Sequence, residues 1–214
     1  LSHDIKGHVA AIKSCLDAAS MFDSPEKIRK FDRLALERTE QLSEFIMNLL
    51  RITRLRMNKQ SELTDFSLKT TLEQVIDLNR VFADKKQILI QDELNDNGIS
   101  FRGNRFSIEE VFNNLIQNAI KYTNIKGKVS VKLFYRQKTF VVEIEDTGIG
   151  IPESEQRNIF TEFYRAQNAR QLDREGDGLG LAIVKQIVEN HQGKINLKSK
   201  ENQGTKFTVI LQQR

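Results

Sequence analysis

The 214-residue chain has a single cysteine, Cys15. One thiol excludes an intramolecular disulfide framework and cysteine-rich zinc sites, and it fits a reducing compartment. No run of eighteen apolar residues occurs, so no segment reads as membrane-spanning. No basic start followed by an apolar core marks a secretory leader. The first residue is Leu rather than Met. The expectation is a fragment whose parent touches a membrane only through segments outside it. A strong charge imbalance is also missing. The 33 Lys and Arg against 29 Asp and Glu leave a net charge of +4, too mild and too evenly mixed to argue for nucleic-acid binding. Neither a Walker loop nor a Rossmann fingerprint at a βαβ start is present.

Two kinds of pattern divide the chain. The first sixty or so residues hold one proline, Pro25, and one glycine, Gly7. There Ile5, Val9, Ile12, Leu16 and Ala19 form a heptad seam. Residues 22–27 interrupt it, with Asp23 or Ser24 as an N-cap and Pro25 at a first helical position. Phe31, Ala35, Leu42, Phe45, Leu49 and Ile52 continue the heptad in a longer helix, interrupted by Arg38. The pair reads as an antiparallel helical hairpin. Leu34, Ile46 and Leu50 widen the stripe beyond what one partner helix covers. Dimerisation into a four-helix bundle is the simplest remedy. Packing of the stripe on the rest of the chain is the alternative.

Composition changes near residues 59–64, which sets expected domains at 1–60 and 61–214. Beyond the boundary, helices are expected at 68–83, 106–122 and 179–190. Strands are expected at 88–92, 99–102, 194–199 and 205–211. A hairpin runs through Val129 to Tyr135 and Phe140 to Ile144, turning near Gln137. The fold class is therefore α+β: a helical hairpin followed by an α/β sandwich with helices on one face of a mixed sheet.

The opening stretch L-S-H-D-I-K-G-H-V carries two histidines. At 100° per residue, His3 falls opposite the seam, Gly7 shares that outward face, and His8 lies at the flank. The histidines do not converge, so a metal pair is not expected. Taken alone, His3 reads as a solvated surface histidine. With Asp4 beside it and Gly7 leaving room for another protein, it can also be read as a nucleophile.

Three later stretches share one chemical theme. In N-N-L-I-Q-N-A-I-K-Y-T, Asn114, Asn118 and Lys121 sit at i, i+4 and i+7. Two amides and an ammonium on one helical stripe can hold Mg²⁺ through an amide oxygen and phosphate through the cation; an ordinary polar face is the plain alternative. E-D-T-G-I-G-I-P follows a strand and places Asp146 where it can accept a hydrogen bond from a base's amino group, beside Gly148 and Gly150. G-D-G-L-G-L, with Gly176, Gly178 and Gly180, opens a helix whose free N–H groups suit phosphate.

In this order, the stretches resemble the sensor histidine kinases of bacterial two-component systems, and the likeness spans nearly the whole chain. S-H-D-I-K resembles the phosphoacceptor box, N-L-I-Q-N-A-I-K-Y-T the asparagine box, and D-T-G-I-G-I and G-D-G-L-G-L the two glycine boxes. I-F-T-E-F-Y-R-A resembles the phenylalanine box, and G-T-K-F the closing strand. The resemblance implies an ATP-binding domain of the gyrase, chaperone and histidine kinase type. It implies ATP and Mg²⁺ as cofactors, a homodimer, and the cytoplasmic portion of a membrane-bound sensor. It further implies ATP-dependent phosphorylation of His3 and transfer of the phosphoryl group to an aspartate in a response-regulator receiver domain. Asp4 would accept the proton from His3. Asn118 would ligate Mg²⁺, while Asn114, Lys121 and Tyr122 would line the phosphate and ribose side. Asp146 would read adenine. Gly148, Gly150, Gly176, Gly178 and Gly180 would shape the pocket and lid, with Leu179 and Thr205 also lining it. Arg165 would reach toward the γ-phosphate, and residues 152–175 would form a mobile ATP lid.

Three positions depart from that pattern. His8 stands where the family usually has proline, and Gly7 where it usually has Thr or Asn, a position that bears on phosphatase activity. Asp177 replaces the usual Thr or Ser and is expected to point away from the phosphates or toward Mg²⁺. Two other readings compete. One is a degenerate, dimeric nucleotide-binding scaffold without kinase activity. The other is a water-directed ATPase, whose relatives carry a glutamate one turn before the Mg²⁺ asparagine. Here that position is Asn114, an amide with no basicity, which fits an external nucleophile.

Overall fold

The computed structural model describes residues 2–57, 62–173 and 176–213, with side chains at 2–4, 44 and 56–57 outside that description. The chain packs as two units, Leu1–Arg51 and Ile52–Arg214. The expected boundary between residues 60 and 61 lies outside the described residues.

The first unit holds α1 (Ser2–Ser20) and α2 (Pro25–Met57) as far as Arg51. Pro25 opens α2 as expected; its missing N–H costs nothing at a first turn, where no intrahelical acceptor exists. The Ser24 carbonyl accepts the Ile28 N–H at 3.0 Å. Beside the turn, Phe22 stacks on Phe31 at 5.6 Å, and His8 meets Phe45 at 5.6 Å. The second contact lies fourteen residues from the first along each helix, two heptads in opposite directions, so the pair is antiparallel. Ala19, Ala35 and Phe45 are buried, yet Val9, Leu16, Ile46 and Leu50 on the same stripe stay exposed.

The second unit is a layer of helices on a mixed five-stranded sheet. Its helices are α3 (Leu68–Lys85), α4 (Arg105–Tyr122), the short α5 (Gln167–Leu172) and α6 (Gly180–Asn190). Its strands are β1 (Thr64–Phe66), β2 (Leu89–Leu94), β3 (Phe101–Gly103), β4 (Lys128–Arg136), β5 (Thr139–Asp146), β6 (Lys194–Lys200) and β7 (Gly204–Gln212). The sheet order is β2-β4-β5-β7-β6, with β2 parallel to β4 and the other neighbours antiparallel. Alternation sends Val129, Val131, Leu133, Phe140, Val142, Ile144, Val209 and Leu211 into one buried face. The helices cover that face, with α4 next to both α3 and α6.

Two expectations change. The strand expected at 99–102 does not join the main sheet. It becomes β3, paired antiparallel with β1, which three residues, T-D-F, were too short to reveal. The segment expected as a lid, residues 152–175, contains α5, whose six residues are too few to show a helical period. The β4–β5 turn falls at Gln137 and Lys138, both at positive φ (51° and 59°) although neither is Gly or Asn.

α4 is fastened at both ends. At its start the Asn104 side chain caps the Ser107 N–H at 2.8 Å. The Asn104 N–H in turn donates to Nε2 of His191, at 3.1 Å, while Nδ1 of that ring faces the Ile187 carbonyl at 2.8 Å. These bonds fix a neutral imidazole with the proton on Nδ1. At the other end, Lys86 Nζ donates to the carbonyls of Ile120, Lys121 and Thr123 at 2.9, 2.7 and 2.8 Å. These oxygens are among those a helix C-terminus leaves unpaired. Burial lowers the Lys86 pKa below its ordinary value. His191→Ala should cost about 2–3 kcal/mol, because it strips a buried N–H of its acceptor and opens a cavity. Urea unfolding checks this; a loss under about 1 kcal/mol would mean that the α4–α6 tie is dispensable.

Candidate nucleotide site

The sheet presents Asp146 at the end of β5, and the side chain is buried. Its Oδ1 accepts N–H bonds from Gly148 at 2.8 Å and Thr205 at 3.3 Å. Burial pushes the carboxyl up to about 6; those two amides pull the other way, and the neighbouring charge of Glu145 adds to the rise.

The backbone crowds this carboxylate closely. A Cβ on Gly148 would come within 2.3 Å of the Tyr122 carbonyl and 2.8 Å of Asp146 Oδ1. The same Tyr122 carbonyl accepts the Ile149 N–H at 3.1 Å, which ties the end of α4 to the first glycine box. Gly204, with φ +108°, lies so close that a Cβ would reach 1.9 Å from the Asp146 carbonyl. Only glycine fits either place. The G-T pair that opens the last strand is the signal for Gly204, although by itself it marks only a strand start. Ser199 was missed entirely. Its hydroxyl accepts the Ile151 N–H at 2.8 Å, donates to the Gly204 carbonyl at 2.9 Å, and lies 2.9 Å from Thr205 Oγ1. Nothing in K-S-K marks such a hub.

α4 supplies the polar wall. Ile108, Val111, Phe112, Leu115, Ile116, Ala119 and Ile120 are buried, which leaves Asn114 and Asn118 half-buried and Lys121 exposed on another face. Asn114 donates from Nδ2 to the Glu110 carbonyl at 3.1 Å, so its Oδ1 is turned toward Gly180, where a Cβ would sit 2.9 Å away. The Asn118 side chain makes no hydrogen bond among the described residues. Tyr122 is half-buried.

The segment between the glycine boxes closes on itself. Gly178, at positive φ, accepts the Phe163 N–H at 3.1 Å through its carbonyl. Asn168 donates to the Gly150 carbonyl at 2.9 Å. Arg165 Nη1 donates to the Gly176 carbonyl at 2.9 Å, and Nη2 meets the Asp173 carboxylate at 3.2 Å as well as its carbonyl. Lys121 Nζ reaches that same carboxylate at 2.6 Å. Leu179 is fully buried, and its N–H donates to Asp177 Oδ1 at 2.9 Å. The Asp177 carboxylate thus turns back onto its own loop. His3 and Asp4 belong to α1, and their side chains lie outside the described residues. Asn114, Asn118, Lys121, Tyr122, Asp146, Gly148, Gly150, Arg165, Gly176, Gly178, Leu179, Gly180 and Thr205 all lie in the second unit, where Asp146 meets Gly148 and Thr205, Asn114 faces Gly180, and Lys121 and Arg165 meet at Asp173.

The second unit is thus a helix-backed mixed sheet, an α/β sandwich, with a buried carboxylate at a strand end flanked by two glycine turns. The profile of the histidine kinase-, DNA gyrase B- and HSP90-like ATPase family matches residues 103–214. The sensor-like histidine kinase SenX3 of Mycobacterium bovis is 30% identical over 213 residues, which cover 99% of this chain and 52% of that protein. The chain spans about half the length of the curated relatives it matches. The structure of the Acinetobacter baumannii histidine kinase AdeS superposes with a TM-score of 0.80 at 21% identity, covering 99% of this chain and 98% of that one. The histidine kinase ThkA, solved in complex with the response regulator protein TrrA, gives a TM-score of 0.80 at 24% identity, over 100% of this chain and 60% of that one. The chain belongs to the histidine kinase-, DNA gyrase B- and HSP90-like ATPase family, and over nearly its whole length it is similar to bacterial sensor histidine kinases.

The raised pKa of Asp146 sets a pH signature. The folded value, about 6, lies above the ordinary 3.8, so the native protein holds this proton more tightly than the unfolded chain does. The cost of the buried charge is absent below about pH 4, grows as pH rises toward about 6, and is fully present above that. Asp146→Asn has no such proton. Wild-type stability measured against Asp146→Asn should therefore fall by about 3 kcal/mol between about pH 4 and about pH 7. Urea unfolding across that range tests it; parallel profiles would mean that Asp146 does not titrate there.

Proposed function

We propose that this region uses ATP to phosphorylate His3 and then passes the phosphoryl group to an aspartate of a response-regulator receiver domain. The observation that carries the reading is the composition of the pocket: a buried acceptor for a base, amides and cations for a polyphosphate, and no carboxylate at position 114 to activate water. Asn114 is an amide already engaged with the Glu110 carbonyl. The pocket can hold a nucleotide but offers no hydrolytic base there, so the acceptor must come from outside it. The complex reported for ThkA with its response regulator supports the class of partner.

In this reading Asp146 accepts a hydrogen bond from the adenine amino group. The half-buried Asn118, with its amide oxygen uncommitted among the described residues, suits a Mg²⁺ ligand. The ion, when bound, neutralises phosphate charge. Lys121 and Arg165 hold the phosphate oxygens. The His3 imidazole nitrogen forms a bond to the γ-phosphorus as the bond to the ADP oxygen breaks, and Asp4 accepts the proton that the ring gives up. The segment from 152 onward acts as the ATP lid.

The uncovered stripe of Val9, Leu16, Ile46 and Leu50 supports a homodimeric four-helix bundle formed by 1–60, with 61–214 as the catalytic domain. Placement at the cytoplasmic side of a membrane-bound sensor belongs to the same reading. Among the described residues no helix is long and apolar enough to cross a membrane.

Incubation with γ-labelled ATP should give a label that acid removes and base spares, as phosphohistidine does. His3→Gln should abolish labelling while ATP binding survives; full labelling of that variant would sink the assignment. Asn118→Ala should weaken ATP binding and be partly rescued by added Mg²⁺. Asp146→Asn should narrow the preference for ATP over GTP by about tenfold or more. Calorimetry reads both, and unchanged affinities would remove the pocket from consideration. Charged substitutions at Leu42 and Leu49 should yield monomers in sedimentation. A wild type already monomeric at micromolar concentration would rule out the bundle.

A further inference from the structure

We propose that Asp173 is a resident surrogate for phosphate, holding Lys121 and Arg165 together so that ATP enters by displacing its carboxylate. The proposal rests on the reading of these two cations as phosphate ligands. They reach the carboxylate from different elements. Lys121 stands on the last turn of α4, and Arg165 lies in the lid segment before α5. Both meet the same oxygen, Asp173 Oδ2, at 2.6 and 3.2 Å.

The burial of the three groups differs in a telling way. The Arg165 side chain is 12% exposed and that of Asp173 21%, while Lys121 is 42% exposed. A guanidinium so covered needs an anion, and two of its other N–H donors go to the carbonyls of Gly176 and Asp173. One carboxylate oxygen shared by an ammonium and a guanidinium has the donors that a phosphate oxygen would use. The carboxylate and a phosphate cannot both occupy that place, because two anions on the same pair of donors repel. A second lid carboxylate behaves similarly. Asp177 takes the Leu179 N–H just ahead of α6, a donor of the kind that helix starts offer to phosphates.

Binding of any phosphate-bearing nucleotide is then weakened by the fraction of protein in which Asp173 holds the cations. Adenosine, which brings no phosphate, escapes that competition. Once the nucleotide leaves, the carboxylate reclaims both cations and the lid segment is again tied to α4.

Calorimetry of ATP and adenosine on the wild type, Asp173→Asn and Asp173→Ala tests the idea. Both variants should bind ATP roughly two- to tenfold tighter than the wild type. Adenosine affinity should stay within about twofold. Variants that bind adenosine normally and ATP no tighter would overturn the surrogate role while leaving the phosphate site intact. A wild type that binds ATP no better than adenosine would instead overturn the assignment of Lys121 and Arg165, and the proposal with it. Unfolding of both variants would make Asp173 a structural element that no ligand displaces, and would overturn the proposal too.

Discussion

The second unit depends on α4 being unable to rotate. Seven of its side chains are buried, which commits one face to the neighbouring helices and sheet. The polar stripe must then face elsewhere, and both ends are held against twisting. His191 receives the N–H of Asn104 at the start. Lys86 gathers three carbonyls at the finish. A helix left free at either end would fray within a turn, and the last turn is the one that carries Lys121 and Tyr122. Fixing the helix therefore fixes the side chains that the proposed chemistry uses.

The carboxylate of Asp146 shows the opposite economy. Stability alone would favour leaving it in water, since burial raises its pKa to about 6. It stays buried because the strand end, the Gly148 turn and the Gly204 turn enclose it together, and their amides hold one of its oxygens. A site that has already met the desolvation cost of its acceptor loses less when a base arrives. Pockets that discriminate by hydrogen bonding are built in this way. The segment that carries Arg165 follows a related logic, with Lys121 of α4 and Arg165 meeting the one Asp173 carboxylate.

The helical hairpin is a different kind of object. The Phe22–Phe31 and His8–Phe45 ring contacts set an antiparallel register, yet large apolar side chains such as Val9 and Leu16 stay exposed. A surface of this kind is one that another protein surface can cover, as in the proposed bundle. Gly7 interrupts an otherwise well-formed α1 with a residue that costs about 1 kcal/mol relative to Ala. It leaves bare helix on the face that also carries His3 in the helical projection.

Much of this was legible in the residues. Heptads in the first unit, alternation in β4, β5 and β7, and the asparagine stripe of α4 all follow from local periodicity, which a chain displays whatever its surroundings. The three glycine and asparagine stretches likewise point by their order to the ATPase family that the profile match shows. Tertiary structure alone decided the rest. The pairing of Thr64–Phe66 with Phe101–Gly103 joins segments too short to show a period. The roles of Ser199, Lys86 and His191 arise from partners far away in sequence, and their immediate neighbours say nothing about them. The meeting of Lys121, Arg165 and Asp173 is of the same kind. Local sequence determines which face of an element is apolar, but which charges come within 3 Å of one another depends on how those faces pack.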